Sequence, residues 1–159
     1  MQNVALHSGG LSLRRARDTD RAAVLTLQRA AYARNRELLG CEPLPLLADY
    51  AQIFTDYEVW VAEQDGIAGA LILEPRSGDL LIWSIATDPA RQRAGLGKTM
   101  LAAAETRARR LGLSVMRLYT GATLQHLIDW YGRHGYTVER IEQLSDRAIT
   151  HMMKRIATN

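Results

Sequence analysis

The segment that most constrains the fold is Leu80-Leu-Ile-Trp-Ser-Ile-Ala86, a strand-like run with apolar side chains on both faces. A strand of this kind lies in the middle of a sheet, where other elements cover both of its faces. The run leads into a turn that contains Gly95 and Gly97, and from Gly97 to Leu111 the apolar residues recur at helical spacing. The sequence therefore predicts an α/β or α+β layer fold in which a buried central strand feeds a helix through a glycine-containing turn.

The other elements follow from the same periodicities and from turn residues. Further strands are predicted over Leu11–Arg15, Glu58–Glu63, Ile67–Leu73, Val115–Tyr119, Tyr136–Ile141 and Ile149–Arg155. The Asp65-Gly66 pair predicts a hairpin. Helices are expected after the capping residues Asp18–Asp20, around Leu46–Phe54, and along the apolar stripe of Leu124, Leu127, Ile128 and Tyr131. The predicted order is β-α-α-β-β-β-α-β-α-β-β.

Composition indicates the broad class of protein. With 159 residues, 47% of them hydrophobic, the chain is expected to form one domain over residues 1–159, with residues 1–10 peripheral or disordered. Cys41 is the only cysteine, which excludes an intrachain disulfide and favours a reducing cytoplasm. The N-terminus lacks a basic segment before an apolar one, and no apolar run has the length of about eighteen residues that a spanning helix needs. We therefore expect a protein that is neither secreted nor membrane-spanning.

No metal and no thiol chemistry are expected. None of the histidines, which are His7, His126, His134 and His151, has metal-ligand spacing with acidic partners. The Cys41 thiol has no histidine-containing pattern near it and is interpreted as inert.

The charge pattern favours a small anionic ligand over nucleic acid. The formal net charge is +3, and arginines recur along the whole chain beside acidic residues instead of forming one basic face. A local cluster of donors does occur in the segment from Arg91 to Lys98. Gly95 and Gly97 would let a phosphate approach the main chain at the positive end of a helix dipole. The alternative, that Gly97 only tightens a turn between solvated arginines, stays open.

Two common phosphate-binding motifs do not fit this turn. Gly97-Lys98-Thr99 matches the end of a P-loop, but Gln92 stands where that loop requires its first glycine. The dinucleotide-binding pattern needs a third glycine, and Met100 stands there.

The turn instead resembles the coenzyme A loop of the GNAT superfamily of acyl-CoA N-acyltransferases, whose pattern is Gln/Arg-x-x-Gly-x-Gly/Ala. Here it reads Gln92-Arg-Ala-Gly95-Leu-Gly97, preceded by the family-like strand end Ile85-Ala-Thr-Asp-Pro89. Trp130-Tyr-Gly-Arg-His-Gly-Tyr136 resembles the family's Tyr-x-x-x-Gly-Phe/Tyr signature. The resemblance spans Leu11 to Arg155. It implies a mixed, mostly antiparallel sheet of about seven strands with about four helices, splayed between the fourth strand, at Leu80, and the fifth, at Val115.

The resemblance also implies an activity, namely transfer of an acetyl group from acetyl-CoA directly to a primary amine of a small molecule, peptide or protein. It assigns cofactor binding to Ile85, Ala86, Thr87, Gln92, Arg93, Ala94, Gly95, Leu96, Gly97 and Lys98. A strand amide near Ala86 would stabilise the tetrahedral oxyanion. Tyr131 matches the catalytic tyrosine that protonates the departing thiolate. A purely packing role for Tyr131 in its apolar stripe stays open.

Some positions depart from the family pattern. Leu124 and Leu127 stand where the family carries an asparagine and a small residue, and Leu81 and Tyr119 stand where a carboxylate base is common. Glu63, Glu74 and Asp79 are alternative candidates for the base, as is water relayed by Ser84, Tyr119 or Thr120. An alternative function is therefore an acyl-CoA-binding sensor that does not catalyse transfer.

The acceptor amine is left open by the sequence. The irregular stretch Arg34–Tyr57 holds several carboxylates and aromatic residues, which are Glu37, Glu42, Asp49, Asp56, Tyr50, Phe54 and Tyr57. They indicate either a site for a cationic amine or a solvated helix face. The lack of an evident base favours an amine of low pKa. Met152 and Met153 are interpreted as core or subunit-contact residues, and the second role would fit a homodimer.

Overall fold

The computed structural model describes residues 5–158, except the side chains of residues 92–94. Its strands are β1 (Leu6–Ser8), β2 (Leu11–Arg15), β3 (Glu58–Glu63), β4 (Ile67–Pro75), β5 (Leu80–Thr87), β6 (Val115–Gly121), β7 (Thr137–Gln143) and β8 (Ala148–Arg155). Its α-helices are α1 (Arg21–Leu39), α2 (Leu44–Leu47), α3 (Tyr50–Asp56), α4 (Leu96–Arg110) and α5 (Gln125–Arg133). Short 3₁₀ turns cover Asp18–Asp20 and Pro89–Ala94.

The strands form one sheet in the order β1-β2-β3-β4-β5-β6-β8-β7, antiparallel except between β5 and β6. The predicted mixed, mostly antiparallel sheet is confirmed, with eight strands among the described residues where about seven were expected. The additional strand is β1, whose Leu6 is fully buried, so disorder is wrong for Leu6–Ser8. Residues 1–4 lie outside the described residues.

Each face of the sheet carries its own apolar core, because β3, β4 and β5 are apolar on both sides. On one face α4 packs Met100, Ala104 and Ala108 against a cluster that includes Leu71 and Leu80. On the other face α1 and α3 complete a second cluster, whose members are Val24, Leu27, Tyr50, Ile53, Val59, Val61, Ala70 and Ile72. The central position predicted for the Leu80 strand is therefore confirmed. Within the described residues no helix combines the length and apolarity that crossing a bilayer requires.

The sheet opens between β5 and β6. Their parallel pairing comprises Leu80 with Met116, Leu81 with Arg117 and Ile82 with Leu118, and it stops there. At the same level the register of β5 against β4 shifts, so that Trp83 is an extra residue between the partners of Ile72 and Leu73. Such a bulge bends a strand and increases its twist. The splay predicted from the resemblance is confirmed, and the bulge supplies its local cause.

Candidate active site

The opening between β5 and β6 continues into a groove of about 810 Å³. The second half of β5, the first turn of α4, the end of β6, the C-terminal half of α1 and helix α5 line it. Among the residues predicted to bind a cofactor, the groove is lined by Ile85, Ala86, Thr87, Gly95, Leu96, Gly97 and Lys98. The side chains of Gln92, Arg93 and Ala94 lie outside the described residues. Tyr131 lines the same groove from α5.

The main chain of β5 faces the groove at Ile85. The N–H of Asp88 donates to the carbonyl of Ala68 at 2.9 Å, and in the same register Ala86 pairs with Ala70. Because hydrogen-bonding direction alternates along an antiparallel ladder, Ala86 bonds towards β4, while the N–H and C=O of Ile85 point towards the missing β6 partner. The amide predicted near Ala86 is therefore best placed at Ile85.

The first turn of α4 supplies a second set of main-chain donors. Gly95 adopts φ +65°, which favours glycine, and its carbonyl accepts the N–H of Thr99 at 3.1 Å. The N–H groups of Leu96, Gly97 and Lys98 precede that first helical bond, so they lie at the positive end of the helix dipole. A Cβ built on Gly97 would lie 3.6 Å from the ring of Trp130. Helix α5 therefore packs directly over this turn.

The charged residues that line the groove are all cationic in the described part of the chain. Lys98 and Arg133 flank the end formed by α4 and α5, whereas Arg34 and Arg147 line the end formed by α1 and the loop before β8. No aspartate or glutamate lines the groove within that part. An anionic ligand is favoured at both ends, because like charges are absent and local cations attract it.

Tyr131 packs against the core and also lines the groove. The ring centroid lies 5.0 Å from that of Trp130 and 5.9 Å from that of Tyr136, so the predicted packing contacts exist. Its hydroxyl makes no hydrogen bond with the residues that the structure describes. Burial raises the pKa of the Tyr131 phenol far above its usual value. The hydroxyl is therefore protonated at neutral pH and can donate.

A buried polar network lies beside the bulge and was not predicted. Gln28, with no exposed surface, donates to the hydroxyl of Tyr50 at 2.9 Å and to Oγ of Ser84 at 3.0 Å. Ser84 also lies 2.8 Å from the hydroxyl of Tyr32, and Tyr50 donates to the carbonyl of Pro45 at 2.8 Å. The signal that could have found it is Gln28 itself, a polar residue in the apolar stripe of α1.

The carboxylates considered as bases lie outside the groove. Arg14 pairs with Glu63, and Asp79 accepts hydrogen bonds from Arg76 and Arg117. Glu74 does not line the groove either. The hydroxyl candidates do line it, namely Ser84, Tyr119 and Thr120, and burial raises the pKa of Tyr119 to about 12. A relay through water is thus the base candidate that the groove retains.

The carboxylates proposed for a cationic amine have other partners or lie elsewhere. Glu42 pairs with Arg36 at 2.8 Å, Asp49 caps α3 through the N–H of Ala51, and Asp56 accepts from Gln52. None of these three, nor Glu37, lines the groove. The structure does not bring them together as a cation site.

Met152 and Cys41, which were also considered in the sequence analysis, do not line the groove. Met152 is buried in the core, and Cys41 is a half-buried free thiol. No group of three potential metal-ligating side chains occurs among residues 5–158.

The fold is shared with acetyltransferases of known structure. The ribosomal-protein-S18-alanine N-acetyltransferase from Escherichia coli is 19% identical, with a TM-score of 0.75 over 94% of this chain and 96% of that one. PaiA N-acetyltransferase from Thermoplasma acidophilum, in complex with coenzyme A, is 17% identical, with a TM-score of 0.72 over 91% and 98%. A GNAT family acetyltransferase from Elizabethkingia anophelis with acetyl-CoA bound is 18% identical, with a TM-score of 0.60 over 72% and 92%.

Sequence comparison gives the family. No curated protein matches the chain. Residues 23–136, which include the groove-lining parts of α1, β5, α4 and α5, match the Acetyltransferase (GNAT) family. Since this match covers most of the sequence, the chain belongs to the GNAT acetyltransferase family.

Proposed function

We propose that this protein is an N-acetyltransferase that transfers the acetyl group of acetyl-CoA directly to a primary amine of a small molecule, peptide or protein. The observation that carries the proposal is the shared groove, which is lined by the part of β5 that has no β6 partner, by the first turn of α4 and by Tyr131. Proteins of the same fold hold coenzyme A or acetyl-CoA. That likeness supports acetyl-CoA as the cosubstrate.

The donors at the start of α4 fit the diphosphate of coenzyme A. The N–H groups of Leu96, Gly97 and Lys98 lie at a helix N-terminus, and Lys98 adds a positive charge. A Cβ built on Gly95 meets no atom within 4 Å, so there is open space beside the main chain. Further along the groove, the N–H and C=O of Ile85 are available to the amides of the pantetheine arm, which would pair with β5 as an added strand.

The reacting carbonyl would lie where β5 and β6 part. There the N–H of Ile85 donates to the thioester oxygen as it gains negative charge. The amine nitrogen forms the new bond to the carbonyl carbon, and the carbon–sulfur bond breaks. Tyr131 gives its phenolic proton to the leaving sulfur and regains one from solvent.

The amine has to lose a proton before or during attack. With no carboxylate lining the described groove, that proton passes to water held by the hydroxyls of Ser84, Tyr119 or Thr120. A water relay is a weaker base than a positioned carboxylate, so we expect the rate to rise with pH as the neutral amine becomes more abundant.

A second candidate is an acyl-CoA-binding domain that does not transfer the acyl group. The observation in its favour is the same lack of a lining carboxylate among the described residues. Both candidates require the groove to bind acetyl-CoA, and only the first requires a product.

The experiment combines acetyl-CoA binding with a product assay. Thermal melts with acetyl-CoA report binding, while release of free thiol with a panel of amines, followed by mass spectrometry of the amine, reports transfer. Acetylated amine supports the transferase. Binding without any acetylated amine would support the sensor, and no binding at millimolar acetyl-CoA would contradict both.

A further inference from the structure

The end of the groove away from α4 is formed by α1 and its neighbours. The side chain of Leu39 at the end of α1 reaches Gly121 at the end of β6, where a Cβ would lie 2.6 Å from Leu39 Cδ2. Arg147 donates to the carbonyl of Glu42 at 2.6 Å, which ties the loop before β8 to the loop after α1. We call this region, lined by residues 30–35, 39, 43–45, 147 and 149, the α1 end of the groove. Since the start of α4 suits the diphosphate, the α1 end is left for the acceptor.

Arg34 is a cation at the α1 end whose side chain makes no ion pair or hydrogen bond with any described residue. The neighbouring arginines differ, because Arg36 pairs with Glu42 and Arg147 pairs with Asp146 at 2.9 Å. Asn35 also lines the groove, and its side chain has no hydrogen-bond partner in the described part of the chain. Two residues with unpaired donor side chains therefore line the same end of the groove.

The Arg34 guanidinium only donates, so its partner has to accept hydrogen bonds, and the amide N–H of Asn35 can donate to the same partner. A carboxylate fits, since it accepts two parallel bonds from a guanidinium and has further lone pairs for an amide N–H. An amine without an anionic group would bring its ammonium beside Arg34 with no carboxylate from the described lining to offset the repulsion.

The remainder of the α1 end is largely apolar. It is lined by Leu39, Pro43, Leu44, Pro45 and Ile149. A ligand that places a carboxylate against Arg34 would therefore have an aliphatic wall for its side chain.

We propose that the acceptor is a free α-amino acid with an apolar side chain, whose carboxylate is bound by Arg34 and Asn35. This inference rests on the proposed transferase function and narrows its acceptor class. A peptide acceptor is disfavoured, because a neutral peptide carbonyl stands where the carboxylate would be and binds a guanidinium more weakly than a carboxylate does.

The test uses compounds that differ only near the carboxylate. The panel is leucine, leucinamide, 3-methylbutylamine and leucyl-glycyl-glycine, assayed by thiol release and by mass spectrometry of the product. We expect leucine to give the highest kcat/KM. In Arg34→Gln the KM for leucine should rise by about tenfold to a hundredfold, as expected for a lost hydrogen bond between charged groups, whereas the KM for acetyl-CoA should hardly move. Arg34→Lys should retain part of the preference.

Arg36→Gln is the matched control, because Arg36 lies on the same helix, is exposed, and does not line the groove. Its kinetics should follow the wild type. Equal or faster acetylation of leucinamide, 3-methylbutylamine or the tripeptide would overturn the acceptor class and leave the transferase standing, as would an unchanged leucine KM in Arg34→Gln. Acetyl-CoA binding with no acetylated product from any amine would overturn the transferase and the acceptor class together.

Discussion

The hydroxyl oxygen of Tyr32 lies 2.8 Å from Oγ of Ser84, which joins helix α1 to the central strand where the sheet opens. Tyr50, at the other end of this hydrogen-bond network, sets the direction of its bonds. Tyr50 donates to a carbonyl that can only accept, so Tyr50 receives its other bond from Gln28, which also donates to Ser84. The network therefore fixes two groove-lining hydroxyls through a fully buried amide.

The first prediction concerns that amide. Gln28→Leu removes the donor to Tyr50 and Ser84 and leaves both hydroxyls under-bonded in the core, which should cost about 1–3 kcal/mol of the free energy of unfolding. Thermal melts should show a midpoint several degrees lower. Arg29→Gln is the control on the same helix, since Arg29 is exposed, and it should melt like the wild type. Equal midpoints for both variants would contradict a stabilising role for the network.

The second prediction concerns ligand binding at the start of α4. Coenzyme A or acetyl-CoA at about one hundred times its Kd should add roughly 2.7 kcal/mol and raise the thermal midpoint by about 5–10 °C, whereas ATP should not. Gly95→Asp should abolish the shift, because its carboxylate would enter the phosphate site.

Gly40→Asp provides the matched control. Gly40 and Gly95 have φ of +69° and +65°, and a Cβ on either meets nothing within 4 Å, but only Gly95 lines the groove. Both variants should therefore lose similar stability through backbone strain, while only Gly40→Asp keeps the shift with coenzyme A. A shift retained in Gly95→Asp would remove the phosphate site from this turn.

The third prediction separates the two roles of Tyr131. Tyr131→Phe keeps the ring contacts, so stability and coenzyme A affinity should be nearly unchanged while kcat falls by about a hundredfold, the low end for general acids. Tyr131→Ala should in addition lose about 3 kcal/mol or more through the cavity it leaves. The measurements are steady-state thiol release and thermal melts.

Tyr136→Phe is the control for that experiment. The Tyr136 hydroxyl is buried and has no hydrogen-bond partner among the described residues, and Tyr136 does not line the groove. Its removal should leave turnover intact and stability equal or slightly higher. Full turnover in Tyr131→Phe would reduce Tyr131 to a packing residue.

The fourth prediction concerns acid stability. Hydrogen bonds from Arg76, and then from Arg117, hold the pKa of Asp79 below its usual value. Because the folded-state pKa is the lower one, this stabilisation is complete above the unfolded-state pKa and is lost as pH falls through the folded-state value. Asp79→Asn should thus be less stable than the wild type at pH 7. The difference should shrink as urea titrations are taken below about pH 4, and a difference that is constant with pH would contradict the assignment.

Elements in which apolar residues recur with a clear period could be predicted from the sequence. The groove-lining residues that lie on those elements could be predicted with them. The Leu80 strand is apolar on both faces and the helix after Gly97 has one continuous apolar face, and either pattern leaves the structure of the element little freedom. Strand β1 could not be predicted, because three residues carry too little pattern and Leu6 is buried only by the finished sheet. The position of Tyr32 and Arg34 in the groove was missed for a similar reason, because it depends on how α1 packs over the opening between β5 and β6.

The extra residue at Trp83 bears on how a ligand enters the groove. The bend that it introduces holds β5 apart from β6 beyond Ile82, with Trp83 itself packed against Tyr50 and Tyr57. No hydrogen bonds between β5 and β6 have to break when a ligand binds beyond Ile82. The strands are separated when the protein folds, so ligand binding does not have to supply that free energy. The cleft is preorganised, and association should proceed at the rate of diffusive encounter without a slow conformational step before it.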